Sequence, residues 1–460
     1  MYTEDTIAAI TTPVGSGGVG IIRISGPEAY AIGDKVFRFP KKGQSLRQQP
    51  SHTVHYGHVV DRNGEVLDEV LAVVMKGPRS YTAEDVLELQ CHGGIVPLQA
   101  VLGELFHQGA RSAEPGEFTK RAFLNGRLDM SQAEAVMDVI TAKSRAGLSA
   151  AVRQLDGRLS AYIERIREEL VSLIARLEVT IDYPEEDIEE LTMQEVDDAL
   201  IPIEEELREL LKKAKTGRMV KDGIQTVIAG RPNAGKSSLL NALLQEDRAI
   251  VTDIPGTTRD SIEEYIQIQG VPVRLIDTAG IREAEDKVEQ IGVDKARQYM
   301  EDSDVVLLVI DASQPLAEED TALLAAIQGR PAAVVLNKQD KERVLQKEEL
   351  EKTYSCVCLP VSAASGEGID AVEEFILSLV KEGSVSVESD ILLTNLRHAG
   401  LVEESLQALA QARETIGAGM PVDCVIVDIK KAWEQLGSVT GQTLQADIIS
   451  EIFSRFCLGK

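Results

Sequence analysis

Residues 230–237 read GRPNAGKS. They follow a short apolar run, 226–229, and precede a helical pattern over 238–244, so strand, glycine loop and helix succeed one another. Gly230 and Gly235 let the backbone curl until its N–H groups face phosphates. Lys236 then reaches the terminal phosphates and the Ser237 hydroxyl meets magnesium. Three more strand ends extend this chemistry. The run 273–276 ends in DTAG, Asp277, Thr278, Ala279 and Gly280, where an acid can hold magnesium through water and a backbone N–H can sense a γ-phosphate. The run 333–336 ends in NKQD. A carboxylate at Asp340 can accept both the N1–H and the exocyclic N–H of guanine, which adenine cannot supply in that arrangement, and the Lys338 stem can cover the base. The run 357–361 ends in Ser362, Ala363 and Ala364, whose backbone N–H can meet the guanine O6. Four elements in this order, each at a strand's carboxyl end, predict a GTP site.

Two details bear on hydrolysis. After DTAG stands Ile281, which cannot orient water through a hydrogen bond, so another group must; Glu283, Glu285, Asp286 and Glu289 are the candidates. Asn233 inside the loop and the stretch 250–260, IVTDIPGTTRD, bring further oxygen ligands. These could hold a monovalent cation beside the phosphates, doing electrostatically what an arginine finger does elsewhere.

The elements that must position these residues follow from patterning. Between 217 and 379 continuous apolar strands alternate with helical segments, which predicts a parallel sheet covered on both faces with nucleotide at its carboxyl ends. Ahead of it, 6–111 holds short alternating runs between turns and reads as a mixed, strand-rich domain. Gly15, Gly17 and Gly20 spell G-x-G-x-x-G, but the β-branched residues that follow read as a strand, not as the opening helix of a dinucleotide site. From about 117 the pattern turns helical. Apolar residues from Leu148 to Ile181 step by three and four, which predicts one long helix ending before Pro184. The acid-rich stretch 184–210, with Arg208 its one base, reads as a solvated face. Residues 381–390 read as a linker, and 395–416, 427–436 and 443–457 as helices. Helical segments on either side imply that the α/β unit is inserted into one helical domain.

Composition sets bounds. Asp+Glu 75 against Lys+Arg 48 in 460 residues gives a net charge of −27, which excludes broad nonspecific RNA binding and requires a local basic patch or a partner for any nucleic acid. The 5 cysteines are irregularly spaced, which fits a reducing compartment. The first residues, MYTEDTIAAI, carry acids where a signal peptide needs bases, and no apolar run approaches ~18 residues. The expectation is a cytoplasmic protein with no membrane association.

The set GRPNAGKS, GTTRD (256–260), DTAG, NKQD and SAA resembles a translation-factor-class GTPase domain, which implies Thr258 as the switch threonine on magnesium. The flanks GSGGVGIIRISGP (15–27), YTAEDVLELQCHGG (81–94), EPGEFTKRAFLNGRLDMSQAEA (114–135) and FCLGK (456–460) resemble the MnmE, or TrmE, family of tRNA-modifying GTPases, and the resemblance covers the whole chain. It implies a multidomain α/β plus all-α protein. Residues 1–117 would form a mixed α+β folate-binding domain that dimerises, 118–216 and 381–460 the two parts of a helical domain, and 217–380 an inserted Ras-like P-loop GTPase domain with a mostly parallel sheet. GTP would be met by Asn233, Ala234, Gly235, Lys236, Ser237, Ser238, Thr252, Thr257, Thr258, Asp277 to Gly280, Asn337, Lys338, Asp340 and Ser362 to Ala364, and Mg2+ by Ser237 and Thr258. By the same resemblance Asn233, Thr252, Ile254 and Thr257 ligate K+, and Glu289 is the catalytic residue that orients water. Arg23, Glu88, Arg127 and Lys460 contact 5-formyltetrahydrofolate or a related tetrahydrofolate, whose anionic tail suits Arg and Lys. Cys457 is a functional thiol; CLGK ends in lysine, so prenylation is excluded. The implied partners are a second copy of the chain, an FAD-binding MnmG (GidA) subunit and tRNA, the reaction being modification of C5 of the wobble uridine with aminomethyl or carboxymethylaminomethyl groups.

Overall fold

The computed structural model describes residues 5–13, 15–182, 192–244, 263–277, 299–381 and 391–460. The chain divides into two compact units, Met1–Met137 with Gly437–Lys460, and Asp138–Leu436.

The first unit is built on seven strands, β1 (Ile7–Ile10), β2 (Val19–Ser25), β3 (Phe37–Arg38), β4 (Thr53–Val60), β5 (Val66–Met75), β6 (Val86–His92) and β7 (Arg111–Ser112), in the order β3-β4-β5-β6-β2-β1-β7. All neighbours are antiparallel except β1 and β7. The two-residue period of the strands sends Val70, Ala72, Val74, Leu87 and Leu89 to one face, where Leu98, Val101 and Leu105 of the helix Ile95–His107 cover them. The same period sends Val54, Tyr56 and Leu71 to the opposite face, where they are 58%, 47% and 40% exposed. Gly20 lies inside β2, as the β-branched run predicts, and a Cβ there would stand 2.5 Å from Leu98, so this glycine seats the covering helix. The helices Glu117–Leu124, Met130–Ile140 and Ala446–Ser454 contribute Phe123, Met130 and Phe453 to a separate small core, which Phe456 of the following turn joins.

The second unit carries β8 (Ile224–Ala229), β9 (Glu263–Ile268), β10 (Val271–Asp277), β11 (Val305–Asp311), β12 (Ala332–Asn337) and β13 (Val357–Pro360), in the order β13-β12-β11-β8-β10-β9. Every pairing is parallel but that of the edge strand β9 with β10. Both faces are buried, as the continuous apolar strands require. Ile228, Leu307, Val309 and Val335 pack on Leu239, Leu243 and Ile376, while Val227, Val306, Leu308 and Ile310 pack on Leu324 and Leu350.

Two expectations are corrected. The stripe from Leu148 to Ile181 is two helices, Arg145–Leu155 and Arg158–Asp182. Leu155 and Leu159 keep the four-residue step, but Gly157 between them takes φ +83°, a left-handed conformation that ends a helix. The apolar period survives the break; the backbone does not. The acid-rich stretch is likewise more than a solvated face. In the helix Met193–Lys212, capped by the reciprocal Thr192–Glu195 box, Glu204 is buried, and it and Asp197 take Arg413 of the helix Leu396–Gly417. Among the described residues no helix is long and apolar enough to cross a membrane.

Candidate functional site

The phosphate loop joins β8 to the helix Lys236–Leu243. Its glycines are demanded by contacts. Gly230 has φ +147° and a Cβ there would lie 2.4 Å from the Val309 carbonyl of β11; Gly235 has φ +100° and a Cβ there would lie 2.1 Å from Asn337 Nδ2. Asn233 also sits in the left-handed region, at φ +64°, which asparagine tolerates better than most residues. The Lys236 ammonium spans the loop from inside, donating to the carbonyls of Gly230 at 3.0 Å and Arg231 at 2.9 Å, while Ser237 and Ser238 lie exposed in the first helical turn.

Asn337, at the end of β12, is the junction of the site. Buried to 2% exposure, it donates from Nδ2 to the Ala234 carbonyl at 3.0 Å, and its Oδ1 accepts from the backbone N–H of Lys338 at 2.8 Å and of Ala363 at 3.0 Å. One amide therefore fixes the phosphate loop, NKQD and the SAA loop together. Lys338, at φ +65°, donates to the Asn233 carbonyl at 2.8 Å and pairs with Asp311 at 2.7 Å. Burial pushes the Asp311 carboxyl up, but Lys338 and Ser313 outweigh it and hold it below the usual range. Asp340 is exposed, with one carboxylate oxygen accepting from Ser362 Oγ at 2.8 Å; that bond and a backbone N–H lower its pKa, so it stands ionised and acceptor-only. Ala364 lies exposed beside them.

Asp277 closes β10 in register with Ile228 of β8, which puts its backbone at the same sheet edge as the loop. Thr278, Ala279, Gly280, Thr252, Ile254, Thr257, Thr258 and Glu289, with Ile281, Glu283, Glu285 and Asp286, lie outside the described residues. Asp311 is a site residue that the sequence pattern did not single out, although it ends an apolar strand as Asp277 and Asn337 do, and that position was the available signal. The pair of Arg231 with the fully buried Asp320 of the helix Glu318–Ala326, at 3.0 Å, which braces the loop's second residue, has no such signal in the sequence.

A second cluster lies in the first unit. Arg23 on β2 stands directly opposite Glu88 on β6, with Nε bonded to Oε1 at 2.8 Å. The Arg23 guanidinium stacks over Tyr81 at 4.8 Å and Phe118 at 5.5 Å, and Arg127 stacks over the same tyrosine at 5.1 Å while donating to its carbonyl at 2.9 Å. Lys460 is brought in by backbone: Phe118 N–H donates to its carbonyl at 3.2 Å, and Gly459, at φ +91°, lies so near β1 that a Cβ would meet the Ile10 carbonyl at 2.4 Å. Burial, then the neighbouring Arg23 charge, lowers the Lys460 pKa. Three cations and one carboxylate thus share the surroundings of Tyr81, and Arg23 Nη1 is buried without a hydrogen-bond partner. Such a donor fits an anionic ligand. Tyr81 and Phe118 carry no role that the sequence pattern assigns; Tyr81 opens the stretch 81–94 that carries the resemblance. Cys457 is an exposed free thiol on the turn whose carbonyl accepts from Gly116 N–H at 3.3 Å.

The fold and the first site define a guanine-nucleotide-binding protein of the P-loop class: a parallel sheet, a glycine loop at its carboxyl edge, and an asparagine that ties that loop to NKQD and SAA. The model of the MnmE helical domain matches residues 130–457, and that of the GTP-binding protein TrmE N-terminus matches residues 6–127. A tRNA modification GTPase MnmE of Acetivibrio thermocellus is 49% identical over 462 residues, covering 100% of both chains, and that of Bacillus subtilis is 48% identical over 459 residues, covering 99% of this chain and 100% of its own. The chain belongs to the MnmE (TrmE) family. Among solved structures, the G domain of the T. maritima FeoB iron transporter is 26% identical, covering 34% of this chain and 98% of its own, at a TM-score of 0.28.

Proposed function

We propose that the chain is a potassium-stimulated GTP hydrolase that acts in the cytoplasm as a homodimer. With an FAD-binding partner of the MnmG type, it modifies C5 of the wobble uridine of certain tRNAs, using a tetrahydrofolate one-carbon donor. The observation that carries the hydrolase reading is the Asn337 junction, which locks phosphate loop and base readers into one rigid cradle. The relatives named tRNA modification GTPase, matched over their whole length, support the tRNA reading. In the hydrolysis step water attacks the γ-phosphorus, the bond to the β,γ-bridging oxygen breaks, and GDP leaves; Lys236 offsets the charge gathering on the phosphates and Glu289 orients the water. Ser237 and Thr258 would hold Mg2+, and Asn233, Thr252, Ile254 and Thr257 would hold K+; both ions supply positive charge beside the phosphates. The Ser237 hydroxyl and the Asn233 side chain are exposed at the loop and bond no described residue, which suits that role.

In the first unit, Arg23, Arg127 and Lys460 would bind the folate's carboxylates and Glu88 a donor on its ring system, the orphan Arg23 Nη1 gaining its acceptor. The uncovered sheet face with Val54, Tyr56 and Leu71 supports dimerisation through this unit, because an apolar face beside a polar site is better buried against a copy of itself. GTPase turnover is expected to rise about tenfold or more when sodium is exchanged for potassium at equal ionic strength. Equal rates in the two salts would remove the cation from the reading. The tRNA assignment is tested by mass spectrometry of wobble uridine from cells lacking the gene: the C5 substituent should vanish, and unchanged nucleosides would sink it.

A further inference from the structure

A chain of net charge −27 that works on tRNA needs a surface whose cations are not already taken by its own carboxylates. Between Asp34 and Asp61 the sequence holds Lys35, Arg38, Lys41, Lys42 and Arg47 and no acid, the longest acid-free stretch in the chain. The structure places Lys35 at the end of the helix Ala29–Val36, Arg38 on β3, the edge strand of the first unit's sheet, and Lys41, Lys42 and Arg47 on the exposed segment that follows it. The bordering acid is occupied. The Asp34 carboxylate accepts from Leu46 N–H at 2.6 Å and Ser45 Oγ at 2.5 Å, folding the loop back on the helix Ala29–Val36. From the end of β5, Lys76 donates to the Arg47 carbonyl at 3.2 Å, which sets a further cation beside this segment.

None of Arg38, Lys41, Lys42, Arg47 and Lys76 forms an ion pair with a described residue. The chain's other dense basic stretch, 212–221, behaves differently. There Lys212 pairs with Glu209, Arg218 with Asp304 and Lys221 with Asp138. A paired cation offers a polyanion little net attraction, so 212–221, with three of its five cations held by carboxylates, presents less free charge than the β3 edge. Its loop, Pro40, Lys41, Lys42, Gly43 and Gln44, carries no large apolar side chain to insert into a bilayer, and its aromatic neighbours, Phe37 and Phe39 at 4.9 Å and His55 at 5.6 Å from Phe39, pack on one another.

We infer that the β3 edge is the surface on which this chain holds the phosphate backbone of RNA. The inference rests on the tRNA reading and adds where the RNA lies. It is tested with the full-length chain, an unmodified tRNA transcript and binding isotherms over a range of KCl. The variant Lys41→Gln/Lys42→Gln/Arg47→Gln removes three cations whose side chains make no hydrogen bond to a described residue. Its affinity should fall at least about tenfold near physiological salt, and the slope of log K against log salt should flatten by about 3, close to one for each phosphate left without its cation. Lys212→Gln, which removes a cation already paired with Glu209, should match wild type, and GTP turnover without RNA should be unchanged in both. Should the three-site variant prove less stable, the exposed pair Lys41→Glu/Lys42→Glu must still weaken binding and flatten the slope. Wild-type affinity and slope in the variants, with wild type binding tRNA, overturn the surface and leave the tRNA reading standing; a wild-type chain that binds no tRNA at low salt overturns both. Loss of binding to phosphatidylglycerol vesicles with tRNA binding intact would make the edge a lipid site and overturn the inference.

Discussion

Asp340→Asn is expected to lower GTP affinity about 10³-fold and to create affinity for xanthosine triphosphate. The ionised carboxylate presents only acceptors, and guanine offers it two adjacent N–H donors. An asparagine amide in the same position replaces one acceptor with an NH2 group that points donor at donor, and buried donors left facing each other are what make such sites reject the wrong base. Xanthine carries a carbonyl where guanine has its exocyclic amine, so the new NH2 finds an acceptor. The exchange should leave the surrounding frame intact. Ser362 Oγ, which donates to the Asp340 carboxylate at 2.8 Å, can donate equally to the asparagine carbonyl, and the Asn337 bonds to Ala234 and Ala363 do not involve the altered group. Competition of GTP and xanthosine triphosphate for a fluorescent analogue measures both changes. A GTP affinity within about fivefold of wild type would take base reading away from Asp340.

How much of this was written in the sequence differs between the two units. The nucleotide sheet was legible because strands buried on both faces are continuously apolar; β8 runs into the glycine loop, and each of β10, β11 and β12 ends its apolar run at a polar residue of the site edge. β9 was missed for the converse reason: as an antiparallel edge it begins Glu263, Glu264, Tyr265, with Glu264 exposed, and no apolar run marks it. The strands of the first unit announce themselves by alternation, but the use of their second face does not. That Arg23 and Glu88 are cross-strand partners under Tyr81 depends on a register between residues distant in sequence. Asp311 shows the same limit inside the nucleotide site. Its place at a strand end was visible, whereas its ion pair with Lys338, and through Lys338 its hold on the Asn233 carbonyl, exists only once β11 and β12 lie side by side. Long-range partners decide roles that local pattern can only nominate.

Gly235→Ala is expected to cost about as much GTP affinity as removing the base-reading carboxylate, for a reason that lies wholly in the protein. Two penalties act. At φ +100° an alanine is in a region that L-residues pay about 1–2 kcal/mol to enter, and its Cβ would stand 2.1 Å from Asn337 Nδ2. Asn337 cannot step aside cheaply, since moving its amide breaks the bond to Ala234 and strains those from Lys338 and Ala363, at about 1–3 kcal/mol for each buried group left unsatisfied. The sum, about 3 to 5 kcal/mol, converts to a loss of about 10²-fold to several thousand-fold if it falls on the nucleotide-binding conformation. Gly270→Ala separates the two penalties. Gly270 also has a positive φ, +84°, in the β9–β10 turn, yet a Cβ there meets nothing within 4 Å. It should lower stability by about 1 kcal/mol and leave GTP affinity unchanged. Titration of both variants with a fluorescent GTP analogue, beside their thermal unfolding, distinguishes the cases: equal GTP affinities for Gly235→Ala and Gly270→Ala would show that neither the strain at Gly235 nor the new methyl group reaches the nucleotide site, and that the Asn337 amide yields without disturbing the cradle.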